Sequence, residues 1–419
     1  MKKRWMTFIA ILITCFLAGH GGVSAKTLEE LLLEKGAITE EEYIQLTQKE
    51  TTQAKPVDYR IGRGFTFTSD DENFQLSLGG RLQARYTFFD NDDRDDVSQF
   101  RIQRMKIWFS GYAYTKDLTY LLQVDAVNSD DDRFIDHAYL NYKFIPEAQL
   151  LAGQTKVPFG RQWLTSSGSQ SFVDRAEASN FFRPGYDIGL KFHGKYADGL
   201  INYDLGGYNG RGQGITNNDN NHAFALRVTV NPLGDMPYGE ADFDTTQKPL
   251  VSLGGNYYYN RVQVGTGQNN LNYDNNLGNI GMLSQLTPGN GFLLGEKTDL
   301  QLYGFDVALK WMGLYATAEY LLSQAEGDDS DEKVRSHGFF VQAGYFIIPN
   351  NFEVAARYGY IDPHRSASND LRSEVGGAVS YYFNKHNLKL QADVRNLHQQ
   401  RNTGATDDMQ YRLQAQIIF

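Results

Sequence analysis

Two stretches of the chain place cations at alternate positions. LGGRLQARY (78–86) carries Arg81 and Arg85 between Leu82, Ala84 and Tyr86, and the run beginning QFRIQRMKIWFSG (99–111) carries Arg104 and Lys106. A period of two puts such residues on one face of a strand and the apolar ones on the other. Followed along the chain, the same parity gathers Lys143, Lys156, Lys191, Arg227, Lys310, Arg357, Arg372, Lys389, Arg395 and Arg412 on the polar face. The carboxylates that share it are Asp125, Asp187, Asp204, Asp306, Glu319, Glu353, Glu374 and Asp393. Cations outnumber acids there, although the whole chain has a formal net charge of −10. A wall with that surplus attracts anions. The plainer reading is that facing guanidinium and carboxylate groups brace the wall and select nothing. One strand is irregular: Phe100 and Ile102 fall on the opposite parity from Met105, Ile107 and Phe109, and a bulge there would change which side chains face inward.

The elements that must position these charges are strands. FQLSLGGRLQARYTFF (74–89) opens a pattern that restarts near residues 99, 117, 133, 148, 186, 199, 221, 249, 299, 312, 334, 351, 371, 387 and 407. That predicts about sixteen strands, mostly long enough to cross a bilayer at a tilt. The connections alternate in kind. TKD (115–117), IPEA (145–148), ADG (197–199), MG (312–313), IPNN (348–351) and FNKHN (383–387) are short, with 232–248 a longer exception. The other set is longer and often acidic: DNDDRDDVS (90–98), NSDDD (128–132), 157–185, GRGQGITNNDN (210–220), most of 263–298, EGDDSDEK (326–333), DPHRSASND (362–370) and QQRNTGATDD (399–408). A sandwich has no reason to sort its loops by parity. An outer-membrane barrel does, with short periplasmic turns and longer outer loops. The predicted fold is all-β, a transmembrane antiparallel β-barrel of about 16 strands. YRLQAQIIF (411–419) is its closing strand, and closure is required because open edges in lipid leave backbone groups unsatisfied. Tyr411, Leu413, Ile417 and the terminal aromatic Phe419 also suit a signal for the outer-membrane barrel assembly machinery.

The rest of the chain divides around that barrel. MKKRW, an apolar stretch and Val23-Ser24-Ala25 predict a signal peptide over 1–25. Cys15, the only cysteine, lies inside it, so no disulfide chemistry is expected. Loss of Lys2, Lys3 and Arg4 takes the formal charge from −10 to −13, which argues against nucleic acid as a partner. The mean hydropathy of −0.48 with 26 Tyr, 26 Phe and 41 Gly suits a barrel whose apolar residues alternate with polar ones. Residues 26–50 predict a short periplasmic helical segment, either a solvated hairpin or an oligomerising coiled coil. Gly36 is its first stop, and Thr39 with Glu42 makes a capping box. Residues 51–72 are expected to be a linker, and 73–419 the barrel.

The 157–185 segment is the one long connection rich in aromatics: Phe159, Trp163, Phe172, Phe181 and Phe182. It is expected to fold inward and narrow the pore, with Arg161, Arg175 and Arg183 near the constriction and Asp174 and Glu177 able to pair with them. An external cap or subunit contact is the other reading. Enzymatic chemistry has little support. No G-x-S-x-G is present, the histidines are scattered, and in GNGFLLGEK (289–297) Glu296 breaks the Gly-Lys pair of a phosphate loop. The acidic runs lack the ligand spacing of a defined Ca²⁺ site, although they could bridge to lipopolysaccharide. No cofactor or metal is expected. A barrel sheath for a periplasmic partner, such as a cytochrome, would need another subunit to supply the haem.

LGGRLQARY (78–86), QFRIQRMKIWFSG (99–111), AGQTKVPFGRQWLTSS (152–167), RPGYDIGLKFHG (183–194), YNGRG (208–212) and NPLGDMPYGE (231–240) together resemble the phosphate-selective porin O/P family of Gram-negative outer membranes. The resemblance implies a sixteen-stranded porin, trimeric, with an inward third loop, passing small anions such as phosphate or polyphosphate. It also implies that Arg81, Arg85, Arg101 and Arg104 serve as an arginine ladder down the lumen. One departure stands out: the family places a lysine before the T-S-S triplet, near where this chain has Trp163. A general, weakly selective porin remains the alternative.

Overall fold

The computed structural model describes residues 32–44, 57–128, 134–217, 219–265 and 281–419. The chain divides into two compact units, 1–56 and 57–419. In the first, helical turns cover 32–34 and 40–44, and Gly36 stops the first turn at a φ of 65°. The capping box forms reciprocally: Thr39 N donates to Glu42 Oε2 at 2.8 Å, and Glu42 N to Thr39 Oγ1 at 3.2 Å. The expected signal peptide, and the ends of the 26–50 segment that would decide between hairpin and coiled coil, lie outside the described residues.

The second unit is one sheet. Its strands are β1 (Asp58–Arg60), β2 (Gly64–Thr68), β3 (Phe74–Asp90), β4 (Val97–Ala113), β5 (Thr115–Asp125), β6 (Ile135–Ile145), β7 (Ala148–Lys156), β8 (Tyr186–Tyr196) and β9 (Ile201–Tyr208). They continue as β10 (Ala223–Val230), β11 (Leu250–Gln263), β12 (Lys297–Trp311), β13 (Leu314–Gly327), β14 (Lys333–Ile348), β15 (Phe352–Asp362), β16 (Arg372–Asn384), β17 (Leu388–Arg401) and β18 (Gly404–Ile418). From β3 onward each strand pairs antiparallel with the next, and β18 returns to β3, with Met409 opposite Asp90 and Ile418 opposite Arg81. The sixteen strands β3–β18 therefore close on themselves. Phe419 completes the seam: its N–H donates to Gly80 O at 3.0 Å, and its carbonyl accepts from Gly80 N–H at 2.8 Å. A Cβ on Gly80 would stand 2.5 Å from the Phe419 ring, so this close approach needs glycine.

Below that seam the edge of β3 is occupied by β2, where Phe65 faces Leu78 and Thr68 faces Gln75. Residues 57–72 are thus a hairpin and not the expected linker. The alternation in GFTFT carried that signal: Phe65 and Phe67 extend the apolar row past the end of β18. The irregular strand is explained as well. Gln83 pairs with Arg104 and Ala84 with Ile102, so Gln103 is the extra residue of a bulge. One inserted residue flips parity, which puts Phe100 and Ile102 on the same face as Met105, Ile107 and Phe109.

Burial in this unit is inverted relative to a soluble protein. Phe305, Leu390 and Leu413 are 58%, 44% and 54% exposed, whereas Arg227, Gln83 and Lys389 are 0–1% exposed. Apolar outside and polar inside is the arrangement a barrel adopts in lipid. Tight turns join strands at one end. At Met312-Gly313 both residues take positive φ, 50° and 84°, as the twist of a two-residue hairpin demands. The long connections lie at the other end, with 231–249 the exception. The expected loop 399–408 is consumed by β17 and β18, which leaves only 402–403 as a turn. The polar composition that suggested a loop belongs to strand ends standing beyond the apolar band.

Candidate functional site

Segment 157–185 lies against the polar face of the wall. Its contacts reach strands all round the barrel, which is possible only from inside. Asp174 accepts from Arg85 of β3 at 2.5 Å, Arg104 of β4 at 3.0 Å and Arg412 of β18 at 3.5 Å. Val173 N donates to Asp393 of β17 at 3.1 Å, Ser171 Oγ to Glu353 of β15 at 2.9 Å, and Gly160 N to Asn256 of β11 at 3.1 Å. Glu319 of β13 accepts from Gln162 N, at the first turn of the short helix Arg161–Leu164. Burial opposes the Asp174 charge, but Arg104, Arg85 and Arg412 outweigh it and hold the carboxyl well below its usual range. Asp174 therefore pairs with the wall, not with Arg161, Arg175 and Arg183 as the sequence suggested. Glu177 pairs with Arg395 at 2.6 Å.

A second insertion comes from the opposite end. The long connection 231–249 between β10 and β11 reaches into the lumen and meets the first. Thr165 Oγ1 donates to Tyr238 O at 3.0 Å, Arg161 Nη2 to Pro237 O at 2.9 Å, and Ser171 N to Glu240 Oε2 at 2.7 Å. Sequence reasoning marked this connection as unusually long but found no role for it. Its signal was Tyr238, Glu240 and Phe243, an aromatic and acidic set in a position otherwise filled by short turns. Between 157–185 and the inward faces of β11–β15 an apolar core forms, including Phe159, Phe181, Phe182, Tyr258, Leu302 and Phe340, joined by Leu283, Leu286 and Phe292.

The cations named from sequence sort into two groups. Several are taken by carboxylates. Arg227, fully buried, makes a two-pronged pair with Asp306 at 2.6 and 3.0 Å. Arg357 meets Glu374 at 3.2 Å, Arg395 meets Glu374 at 3.4 Å, and Arg412 meets Asp393 at 2.7 Å. Lys106 pairs with Asp136, an acid the parity count missed because Asp136 sits where the β5–β6 register shifts. Arg161, 1% exposed, is held instead by neutral partners: it donates to Ser252 Oγ at 3.1 Å and Pro237 O at 2.9 Å and stacks over Tyr238 at 5.0 Å. Arg161, Arg227, Arg357 and Arg395 thus fasten the wall and its insertions, and all four are buried. Burial of an ion pair with both groups bonded is costly to break, so these sites hold shape.

The second group is held by neutral partners. Arg81 donates to Ser166 Oγ and Ser167 Oγ, both at 2.9 Å. Lys156 donates to the carbonyls of Trp163, Leu164 and Thr165 at 2.7, 3.3 and 3.3 Å. Arg175 donates to the carbonyls of Gln162 and Thr165 at 3.0 and 2.8 Å. Burial, with Arg183 and Arg104 nearby, pushes the Arg175 guanidinium down to about 9, which still leaves it charged at neutral pH. Lys156, Arg175 and Arg183 all stand over the Trp163 ring, at 4.7, 5.0 and 4.6 Å from its centroid. Arg101 is exposed on the inward face opposite Arg85, one step above Arg104.

Arg81 and Lys156 border a cavity of about 640 Å³ on the side of the tight turns, which also reaches Lys106, Lys191, His137 and Tyr186. A second cavity of about 400 Å³ opens on the long-loop side, among Arg183, Arg372, Glu177 and Asp408. The 157–185 segment contributes to both. Among the described residues no group of three or more His, Cys, Asp or Glu side chains is placed to hold a metal ion.

The family model for phosphate-selective porin O and P matches residues 76–419. Porin O of Pseudomonas aeruginosa is 23% identical over 371 residues, covering 82% of this chain and 79% of its own length. The fold is similar to that of an anion-selective porin from Comamonas acidovorans, with a TM-score of 0.56 at 9% identity over 82% of this chain and 99% of that one. It is also similar to OmpT of Vibrio cholerae in its trimer form, with a TM-score of 0.50 at 12% identity over 82% of this chain and 99% of that one.

Proposed function

Because the chain belongs to the phosphate-selective porin O and P family, we propose that it is a diffusion channel selective for small anions. Its place is the Gram-negative outer membrane, and its fold and family are those of a channel. The observation that carries the anion reading is the pairing state of Arg81 and Lys156. Both border the larger cavity, and among the described residues neither meets a carboxylate. With no carboxylate bonded to either, an anion entering from water exchanges hydration for a positive field and a cation meets a barrier. Arg104 and Arg101 follow on β4, with Arg85 of β3 opposite Arg101, and this succession supports a ladder of arginines along the lumen. Phosphate or polyphosphate is the finer candidate for the solute.

The apolar outer belt supports lipid as the barrel's surroundings. We take the trimer as the assembled form by analogy with the V. cholerae relative, and the Phe419 seam as the end that the assembly machinery reads. A general, weakly selective porin is the alternative, favoured by how many lumen cations are already paired. The zero-current potential of the purified protein in a planar bilayer under a KCl gradient separates the two, and repetition with added phosphate tests the solute. Reversal toward the chloride potential is expected, and reversal toward potassium would sink the anion reading.

A further inference from the structure

The cations around the larger cavity are each anchored to the protein on one side. Arg81 gives one N–H of each Nη to Ser166 and Ser167 and keeps its other N–H groups, Nε among them, while Lys156 directs its ammonium at three carbonyls. Lys106 is closed on Asp136, and Lys191 on Asp204 at 2.9 Å. Beside these cations the cavity carries apolar faces among hydroxyl, amide and imidazole groups. Trp108, Leu121, Leu164 and Tyr186 border it, each half-buried, and all lie on the inward side away from lipid. Tyr186 stands edge-on to His137 at 5.2 Å and to Trp163 at 5.3 Å, so its ring is fixed in place. The volume of about 640 Å³ far exceeds what a phosphate needs and falls in the range of sites for small organic ligands.

We propose that this cavity is a subsite for aromatic carboxylates, which take their charge stabilisation from Arg81 and Lys156 and their body contact from Trp108, Leu121 and Tyr186. The inference rests on the anion-channel reading and narrows its solute class. A single carboxylate needs few donors, and Ser166, which is exposed, remains free to rotate its hydroxyl toward one. The ring then replaces water against apolar wall that is otherwise wetted.

The test compares block of chloride current by benzoate, acetate and inorganic phosphate, using the purified full-length protein in planar bilayers. Half-block by benzoate is expected at about tenfold lower concentration than by acetate or phosphate, the ratio that burial of one ring face supplies. Trp108→Ala should raise the half-blocking benzoate concentration about fivefold while leaving the chloride-to-potassium permeability ratio unchanged. Leu121→Ser, a smaller change, gives a second reading should the tryptophan variant fold poorly. Anion selectivity with benzoate and acetate equally potent, or with phosphate the most potent, overturns the subsite alone. Cation selectivity of the unaltered channel overturns the anion reading itself.

Discussion

Two sides of the same wall carry similar charges and do different work. On β10–β15, Arg227 and Arg357 are closed on Asp306 and Glu374, and the lumen beside them is filled by Phe159, Phe182, Phe340 and their neighbours. On β3–β8, Arg81 and Lys156 rest on hydroxyls and carbonyls and border open space. An inward-facing cation is therefore not by itself a channel residue. What separates the two sides is whether a carboxylate from a neighbouring strand, or a segment folded in from either end, reaches it first.

The largest effect expected from breaking this contrast is on stability. Asp306→Ala strands Arg227 in a fully buried position and should lower unfolding stability by about 3–5 kcal/mol, read by denaturant titration of the folded barrel in detergent. Its ion selectivity should hardly change. Arg81→Ala should do the reverse. Loss of one uncompensated charge at the cavity is worth about 1 kcal/mol, so the chloride-to-potassium permeability ratio should fall about fivefold with little change in the unfolding midpoint. If Arg81→Ala destabilised the barrel and left selectivity intact, the two sides would not differ as described.

Asp174 lies at the boundary between the sides, and Asp174→Asn should raise the permeability ratio about threefold, because Arg85, Arg104 and Arg412 share its carboxylate. The smallest effect concerns pH. The Asp174 carboxyl is held well below its unfolded value of ~3.9, so its ionic anchor is complete above that value and fades only as pH falls through the folded one. The difference in permeability ratio between the unaltered protein and Asp174→Asn should thus stay constant from neutral pH down to about pH 5. Convergence of the two already in that window would mean that the three guanidiniums do not hold the carboxylate.

Strand number, the placement of the lipid-facing rows and the closing role of 411–419 were legible in the sequence. Each depends on an alternation that local residues repeat for themselves. Even the bulge at Gln103 left a visible parity break between Ile102 and Met105. The β1–β2 hairpin was equally readable in GFTFT and was passed over, and the polar tips of β17 and β18 passed for a loop because strands outrunning the apolar band lose their alternation. The pairing state of each cation could not be read this way. Arg85, Arg104 and Arg412 meet at Asp174 from three strands and a distant segment, and Glu240 reaches Ser171 from the opposite end of the barrel. The sequence by itself determined a polar, cation-rich inner face, since side-chain direction in a strand follows from a period of two. Only the tertiary structure decided which of those cations remain uncompensated, because that depends on carboxylates brought within a few ångströms by closure of the barrel and by two segments folding into it.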